Sequence, residues 1–227
     1  MKSYRFFIAN FGPFLRLAVP WSILGGLIGL LDDEFAATFA NLIALTFGDT
    51  LIAITWHRAI LLDEEFFPLR AFGRREWLYY LFSIIPTVLI LGLSLLVVIL
   101  WMSFEGKMTP AFALTFAFTG IWMVAIAPLL LIYPAIAVEE RRLNLRLWFR
   151  LGGTNIVPIF VGMIVAFLPI QIIGILISPD DVGGATSWID SAIVFGASAA
   201  SALFSFAGDV TLAGFASYLY RAVKPSI

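Results

Sequence analysis

Long apolar runs separated by short polar segments dominate the chain. A helix that spans a membrane needs about 20 mainly apolar residues, within a range of about 17–25. Six runs are long and apolar enough to qualify, and charged or turn-forming residues separate them. We therefore predict a single all-α transmembrane domain over residues 1–227. Its bundle of about six helices is expected at residues 14–31, 36–57, 78–102, 111–137, 156–177 and 190–220.

The two ends of this pattern differ from its middle. Tyr4, Phe7, Ile8 and Phe11 recur at helical spacing, which predicts a short amphipathic segment at the membrane surface before the first span. The last apolar run is too long for one straight span. We expect it to tilt or to extend into the cytoplasm.

The composition supports a membrane solvent for most side chains. Hydrophobic residues make up 61% of the chain and charged residues 13%, with a mean hydropathy of +0.99. Soluble domains have about 45–50% apolar and about 25% charged residues. A soluble fold of this length has too little interior to hide the excess apolar surface, whereas lipid solvates it.

The basic residues are distributed unevenly between alternate loops. If the N-terminus is cytoplasmic, the outer loops contain Lys107 as their single basic residue. Such a bias is typical of a bacterial inner-membrane protein with both termini in the cytoplasm. The thirteen basic residues on the inner side are Lys2, Arg5, Arg16, Arg58, Arg70, Arg74, Arg75, Arg141, Arg142, Arg146, Arg150, Arg221 and Lys224.

Two of the inner loops resemble each other when the chain is shifted by 76 positions. Residues 59–64 then align with 135–140, and residues 69–74 align with 145–150. Either a two-helix hairpin was duplicated, or two cytoplasmic hairpins converged on the arginines and aromatics that suit an interface.

Several side chains of these loops are predicted to contact lipid or a partner at the inner interface. Arg142, Arg146 and Arg150 recur every four residues, which predicts a basic amphipathic helix on the anionic inner leaflet. Such a helix either anchors the topology or binds a lipid or a protein. The complete predicted set is His57, Arg58, Arg70, Arg74, Arg142, Arg146 and Arg150.

Two acidic residues fall well inside predicted spans, where a charge near the centre costs at least about 2.5–3.5 kcal/mol. Asp49 and Asp209 each follow a glycine, and both lie well before the inner end of their helix. We expect them at comparable depth and able to approach each other, with one carboxyl protonated, because like charges resist joint ionisation in a low dielectric. They form a proton or cation site, a polar contact for a bound headgroup, or an interhelical hydrogen bond.

Small residues mark the candidate helix contacts. Gly25 and Gly29 are four apart in the first span, and Gly208 lies among many alanines and serines in the last. Small residues at this spacing let helix backbones approach closely. We predict helix packing at all three, within the bundle or with another subunit.

The sequence has few groups that could carry out catalysis. It has no cysteine and one histidine, so a metal site is not predicted, and no cofactor is expected. It lacks a nucleophile elbow and a phosphate-binding loop. The net charge of −1 argues against nucleic acid as a partner.

Two stretches resemble known membrane families. Residues 56–62 together with 72–77 resemble a family of alphaproteobacterial polytopic inner-membrane proteins without an assigned activity. Residues 133–139 and the Leu-Arg-Leu-Trp-Phe-Arg run after them are similar to the membrane domain attached to some bacterial glycerophosphoryl diester phosphodiesterases. The resemblance implies a six-helix membrane unit. It brings no catalytic residues, because in those proteins the phosphodiesterase chemistry lies in a separate soluble domain.

These observations favour a non-enzymatic accessory or assembly subunit that acts through membrane lipids and other membrane-protein subunits or a homo-oligomer. The alternative is a small proton- or cation-coupled transporter that uses Asp49 and Asp209. An enzyme acting on lipid is a third possibility, but the sequence offers it neither a base nor a nucleophile.

Overall fold

The architecture was described from a computed structural model. The structure describes residues 2–31, 34–66, 73–84, 130–139 and 188–223, together with 92, 153, 157–159, 161–162, 164–165 and 169. These residues form helices and short connections, and no β-strand occurs among them. The described helices are α1 (Lys2–Ala9), α2 (Phe11–Ile28), α3 (Glu34–Leu62), α4 (residues 74–84), α5 (Ile132–Ala137) and α6 (Trp188–Val223).

The predicted all-α class is confirmed for this part of the chain, but the number of spans is confirmed only in part. By length and apolar composition, two of the described helices, α2 and α6, could cross a membrane. Most of predicted spans three to five lies outside the described residues. The helix bounds also differ from the predictions: α2 begins and ends three residues early, while α3 continues to Leu62 instead of ending at His57.

The helix α6 is the element against which the others pack. It contacts α1, α2, α3 and α5, and α2 and α3 also contact each other. The core between them contains Phe14, Trp56, Ile132 and Val210, all buried. The large rings therefore fill one end of the helix group, near the C-terminal ends of α3 and α6.

Small residues let α2 approach α6 closely. A side chain at Gly26 would place a Cβ 2.8 Å from the Phe195 ring, and one at Gly29 would overlap Ser198. A Cβ at Gly25 would lie 3.1 Å from that of Ala202. Gly25 and Gly29, predicted to pack against another helix, thus lie at a close contact with α6 of the same chain.

The segment before α2 is helical, as predicted, but it does not present the predicted face to the surface. Tyr4 and Phe7 pack against the core, while Ile8 is 71% exposed and Phe11 also points outward. The Ser3 hydroxyl donates to the Thr211 carbonyl at 2.5 Å. Phe6 meets the Trp56 ring edge-on at 5.5 Å. α1 therefore packs on α6 as part of the bundle.

The chain leaves α3 and α5 in the same way. Asp63 and Glu139 have φ values of 57° and 54°, directly after Leu62 and close after Ala137. Helices commonly end in this left-handed conformation, usually at glycine, because other residues pay a steric cost of about 1–2 kcal/mol. The two residues are 76 positions apart, the same shift that aligns the two loops. This correspondence favours the duplication hypothesis.

Candidate functional site: a carboxyl pair between two helices

The two intrahelical aspartates meet between α3 and α6. The carboxyl groups of Asp49 and Asp209 lie within hydrogen-bonding reach of each other. Their matching positions in the two helices predicted this approach. Two ionised carboxylates are acceptors only, so a hydrogen bond between the two side chains requires a proton on one of them.

The surroundings of the pair leave polar atoms without partners. Asp49 Oδ1 and Thr50 Oγ1 are buried and have no hydrogen-bond partner. Thr211, two residues after Asp209, is satisfied within its own helix, because its hydroxyl donates to the Gly208 carbonyl at 2.8 Å. Unpaired buried polar atoms are rare and costly, about 1–3 kcal/mol each. The α3 side of the pair therefore has unused capacity to bind a proton, a water or a cation.

Steric contact with another helix explains why the residue before Asp49 is a glycine. A Cβ at Gly48 would lie 2.6 Å from ring atoms of Trp21, so the indole of α2 rests directly on the α3 backbone. Gly208, the glycine before Asp209, is buried in α6, as expected for a packing residue. Close helix packing thus leaves no room for larger side chains at the glycine positions beside the carboxyl pair.

A second polar contact repeats the first one further along the same two helices. His57 is eight residues after Asp49, and Ser217 is eight residues after Asp209. Helical positions eight apart lie on a similar face. His57 Nδ1 and Ser217 Oγ lie 2.7 Å apart. Because α3 and α6 run in the same direction, the equal eight-residue spacing on each helix places the Asp49–Asp209 and His57–Ser217 contacts between the same two helices, at different depths.

Tyr79 of α4 joins the second of these contacts. Its hydroxyl lies 3.1 Å from His57 Nε2. We call the five residues the polar cluster; they are Asp49, His57, Tyr79, Asp209 and Ser217. Three helices thus contribute to it.

Tyr133 of α5 borders the cluster. Its ring packs against that of Tyr79 at a tilt of 40°, with centroids 4.9 Å apart. Its hydroxyl donates to the Phe82 carbonyl at 3.1 Å. Tyr133 therefore supports the position of the Tyr79 ring, while its own hydroxyl bonds back to α4.

Arginines close the C-terminal ends of the helices beside the cluster. Arg58 pairs with Glu64, with Nε and Oε2 2.8 Å apart, and its Nη1 donates to the Ala137 carbonyl at 3.0 Å. Arg221 Nη2 donates to the Ile60 carbonyl at 2.6 Å. The last carbonyls of a helix have no intrahelical partner, so these guanidinium groups cap α5 and α3. We call this region the arginine end.

Arg75 completes the arginine end from α4. It contacts Glu139 at 2.9 Å and Glu76 at 2.8 Å. Glu76 also accepts a hydrogen bond of 2.9 Å from the Gly73 amide, the donor that precedes the first turn of α4. Burial acts to raise the pKa of Glu76, but the hydrogen bonds from Arg75 and Gly73 outweigh it and hold the pKa below its usual value.

The structure corrects two of the predicted lipid or partner contacts. His57 is 1% exposed, so the prediction that it contacts lipid was wrong. The Arg58 side chain is 15% exposed, and its guanidinium binds groups of the same chain. Both residues lie inside because α1, α4 and the turn after α3 pack over the end of that helix. Arg74 is exposed, as expected. Arg70, Arg142, Arg146 and Arg150 lie outside the described residues.

Sequence reasoning missed Tyr79 and Ser217. A tyrosine at the start of an apolar run looks like an interfacial anchor, and a serine among small residues looks like packing. The matching eight-residue offsets from Asp49 and Asp209 were the available signal. That signal gains meaning only once the two aspartates are known to touch.

No protein-family model matches the chain, and neither a curated protein nor a solved structure matches it. The resemblance to the membrane domain of the phosphodiesterases therefore stays a prediction. The geometry of the polar cluster carries the functional argument.

Proposed function

We propose that the protein is a polytopic inner-membrane transporter coupled to protons, with the Asp49–Asp209 pair as its proton-binding site. The observation that carries this proposal is the close approach of the two carboxyls between α3 and α6. Intramembrane acids that face one another commonly mark proton relays. A pair that holds one proton and has an unpartnered oxygen, Asp49 Oδ1, can bind and release protons without rebuilding the helices.

The exposed surface of α2 supports a lipid environment. Val19, Ile23 and Leu27 form an outward stripe at 40%, 47% and 53% exposure. The opposite face carries Ala18 and Ser22, both buried. A soluble helix hides its large apolar residues and exposes its polar ones. The three exposed apolar side chains on α2 therefore favour a helix whose outer face is solvated by lipid, with small residues among those at the helix contact.

We place the arginine end on the cytoplasmic side of a bundle of about six spans. This orientation follows the bias of basic residues, thirteen against one, towards alternate loops. Asp49 lies about 13 Å before Arg58 and about 22 Å after Glu34, at 1.5 Å per residue. The carboxyl pair is then within the hydrocarbon layer, nearer its cytoplasmic side.

Infrared spectroscopy of the protein in lipid membranes tests the site directly. A protonated carboxyl gives a carbonyl band that a carboxylate lacks, so the pair should contribute a band that titrates with pH. Asp49→Asn and Asp209→Asn should each remove or shift that band. Asp63→Asn, at an exposed position just after α3, is the matched control and should leave it unchanged.

Proton movement tests the function. Vesicles that contain the protein and an internal pH dye are given a potassium diffusion potential, and internal acidification is followed. We expect wild-type protein and Asp63→Asn to conduct protons and both cluster Asn variants to lose the flux. If both Asn variants behave like wild type in flux and in the infrared band, the carboxyl pair is an interhelical hydrogen bond, and the accessory-subunit function is favoured instead.

A further inference from the structure

The basic side chains of the structure divide into two groups. The three that form the arginine end bind carbonyls or carboxylates of their own chain. Lys2, Arg5 and Arg16 are exposed instead, as is Arg74 of α4. In the part of the chain that the structure describes, no salt bridge involves Lys2, Arg5 or Arg16. The charges of these three residues are therefore available to an anion from outside the chain.

Large apolar side chains are exposed beside these cations. Ile8 is 71% exposed and Phe11 is 48% exposed, whereas Ser3 and Phe7 of α1 point towards the core. Water solvates the cations but not the apolar groups, and hydrocarbon solvates the apolar groups but not the cations. The headgroup region of a bilayer accommodates both kinds of side chain. The composition of this surface thus favours a position at the boundary between lipid headgroups and acyl chains.

The same surface continues into the apolar stripe of α2. Arg16, Val19, Ile23 and Leu27 follow one another at intervals of three or four residues, and all four are exposed. No charged residue occurs between Arg16 and Asp32. Cations at one end of an outward face and only apolar groups beyond them are expected where a helix passes from the headgroups into the hydrocarbon.

We propose that the outward surface of α1 and of the first turns of α2 binds the headgroups of anionic phospholipids. We call it the basic lipid surface; it consists of Lys2, Arg5, Ile8, Phe11 and Arg16. Guanidinium groups match the phosphate of a headgroup, because they can donate two parallel hydrogen bonds to it. The positive charge selects anionic phospholipids over zwitterionic ones, since each cation close to an anionic membrane surface is attracted to it.

The basic lipid surface is separate from the proposed proton site. It requires that the chain lie in a membrane, and under the proposed orientation its lipids belong to the cytoplasmic leaflet. It does not require proton transport, so Asp49→Asn should leave the lipid preference unchanged. The lipid site and the proton site can therefore fail independently of each other.

Gly12 provides a position for a fluorescent reporter on this surface. It is exposed, and a Cβ placed there would have nothing within 4 Å. Because the chain has no cysteine, Gly12→Cys can be labelled at that position alone. Gly196→Cys is the matched control, since a Cβ at Gly196 also has open space and α6 contains no lysine or arginine before Arg221.

Quenching of the reporter measures the lipid preference. The labelled protein is placed in vesicles of phosphatidylcholine and phosphatidylglycerol, in which one or the other lipid carries a quenching spin label. We expect phosphatidylglycerol to quench the label at position 12 more strongly, and both lipids to quench the label at position 196 equally. Arg5→Gln and Arg16→Gln should each lower the preference about fivefold, the factor expected for one cation at an anionic surface. Arg5→Lys and Arg16→Lys should retain most of it.

Stability and the remaining outcomes separate lipid binding from other roles. The Gln variants should keep the wild-type melting temperature in pure phosphatidylcholine, because both arginines are exposed. Equal quenching by the two lipids at position 12, or Gln variants with the wild-type preference, would overturn the proposal. If neither lipid quenches that label and Gly12→Cys molecules form disulfides with each other, a second copy covers the surface and the proposal is also wrong.

Discussion

Glu76 illustrates how a charged residue is held inside a protein with few charges. Its side chain is buried, yet it receives hydrogen bonds from the Gly73 amide and from Arg75. Gly73 has no side chain to cap α4, so Glu76 reaches back to the first free amide, as in half of a capping box. The residue therefore stabilises the start of the helix that carries Tyr79.

We expect Glu76→Gln to lower the free energy of unfolding at neutral pH by about 1–3 kcal/mol, since it weakens charged hydrogen bonds at a buried position. The pKa of Glu76 is held below its usual value in the folded protein, so its contribution is full above about 4.3 and is lost as pH falls through the lower folded pKa. Thermal unfolding in detergent at several pH values measures this. Glu65→Gln, at an exposed position, is the control; an equal effect of both variants would contradict the assignment.

At the scale of elements, the close packing of α2 against α6 depends on glycines, which carry no side chain. Gly26 and Gly29 face Phe195 and Ser198 without room for a Cβ, and a Cβ at Gly25 would be in tight contact with Ala202. In lipid, the hydrophobic effect contributes little between helices, so close backbone packing has to stabilise the contact. The contact of α2 with α3 also depends on a glycine, because Trp21 lies on Gly48 and thus keeps the surroundings of Asp49 tight.

Gly29→Ala tests this contact. The new methyl would overlap Ser198, and such overpacking costs about 1–3 kcal/mol. Gly196→Ala, on α6 where nothing lies within 4 Å, should be neutral or stabilising, because alanine favours a helix by up to about 1 kcal/mol. Thermal unfolding compares the two. Ser198→Gly should partly rescue Gly29→Ala; an absence of rescue would place the strain elsewhere.

At the scale of the whole molecule, the described helices place the arginine end opposite the start of α3. The arginine end contains Arg58, Arg75 and Arg221. Arg58 and Arg221 donate to helix carbonyls. Arg58 also pairs with Glu64, and Arg75 pairs with Glu76 and Glu139. These arginines thus contribute both to the proposed cytoplasmic orientation and to the internal packing of the helix ends.

The absence of cysteine makes the orientation straightforward to measure, since every introduced thiol is unique. We expect Glu65→Cys, exposed at the arginine end, to react with a membrane-impermeant maleimide only in inverted membranes. Leu31→Cys, exposed after α2 at the opposite end, should react in intact spheroplasts. The reverse pattern would invert the topology and move His57 to the outer side of the site.

The hydropathy pattern alone predicted an all-helical chain, because the length of each apolar run and the spacing of its apolar residues are properties of the local sequence. It also singled out Asp49 and Asp209, since an acid inside an apolar run is conspicuous, and it anticipated their approach from their matching positions. Only the tertiary structure identified Tyr79 and Ser217 as partners of His57 and moved His57 and Arg58 from the interface to the interior. Burial of a polar side chain depends on which helices pack over it, and that choice is made by contacts between residues distant in the chain.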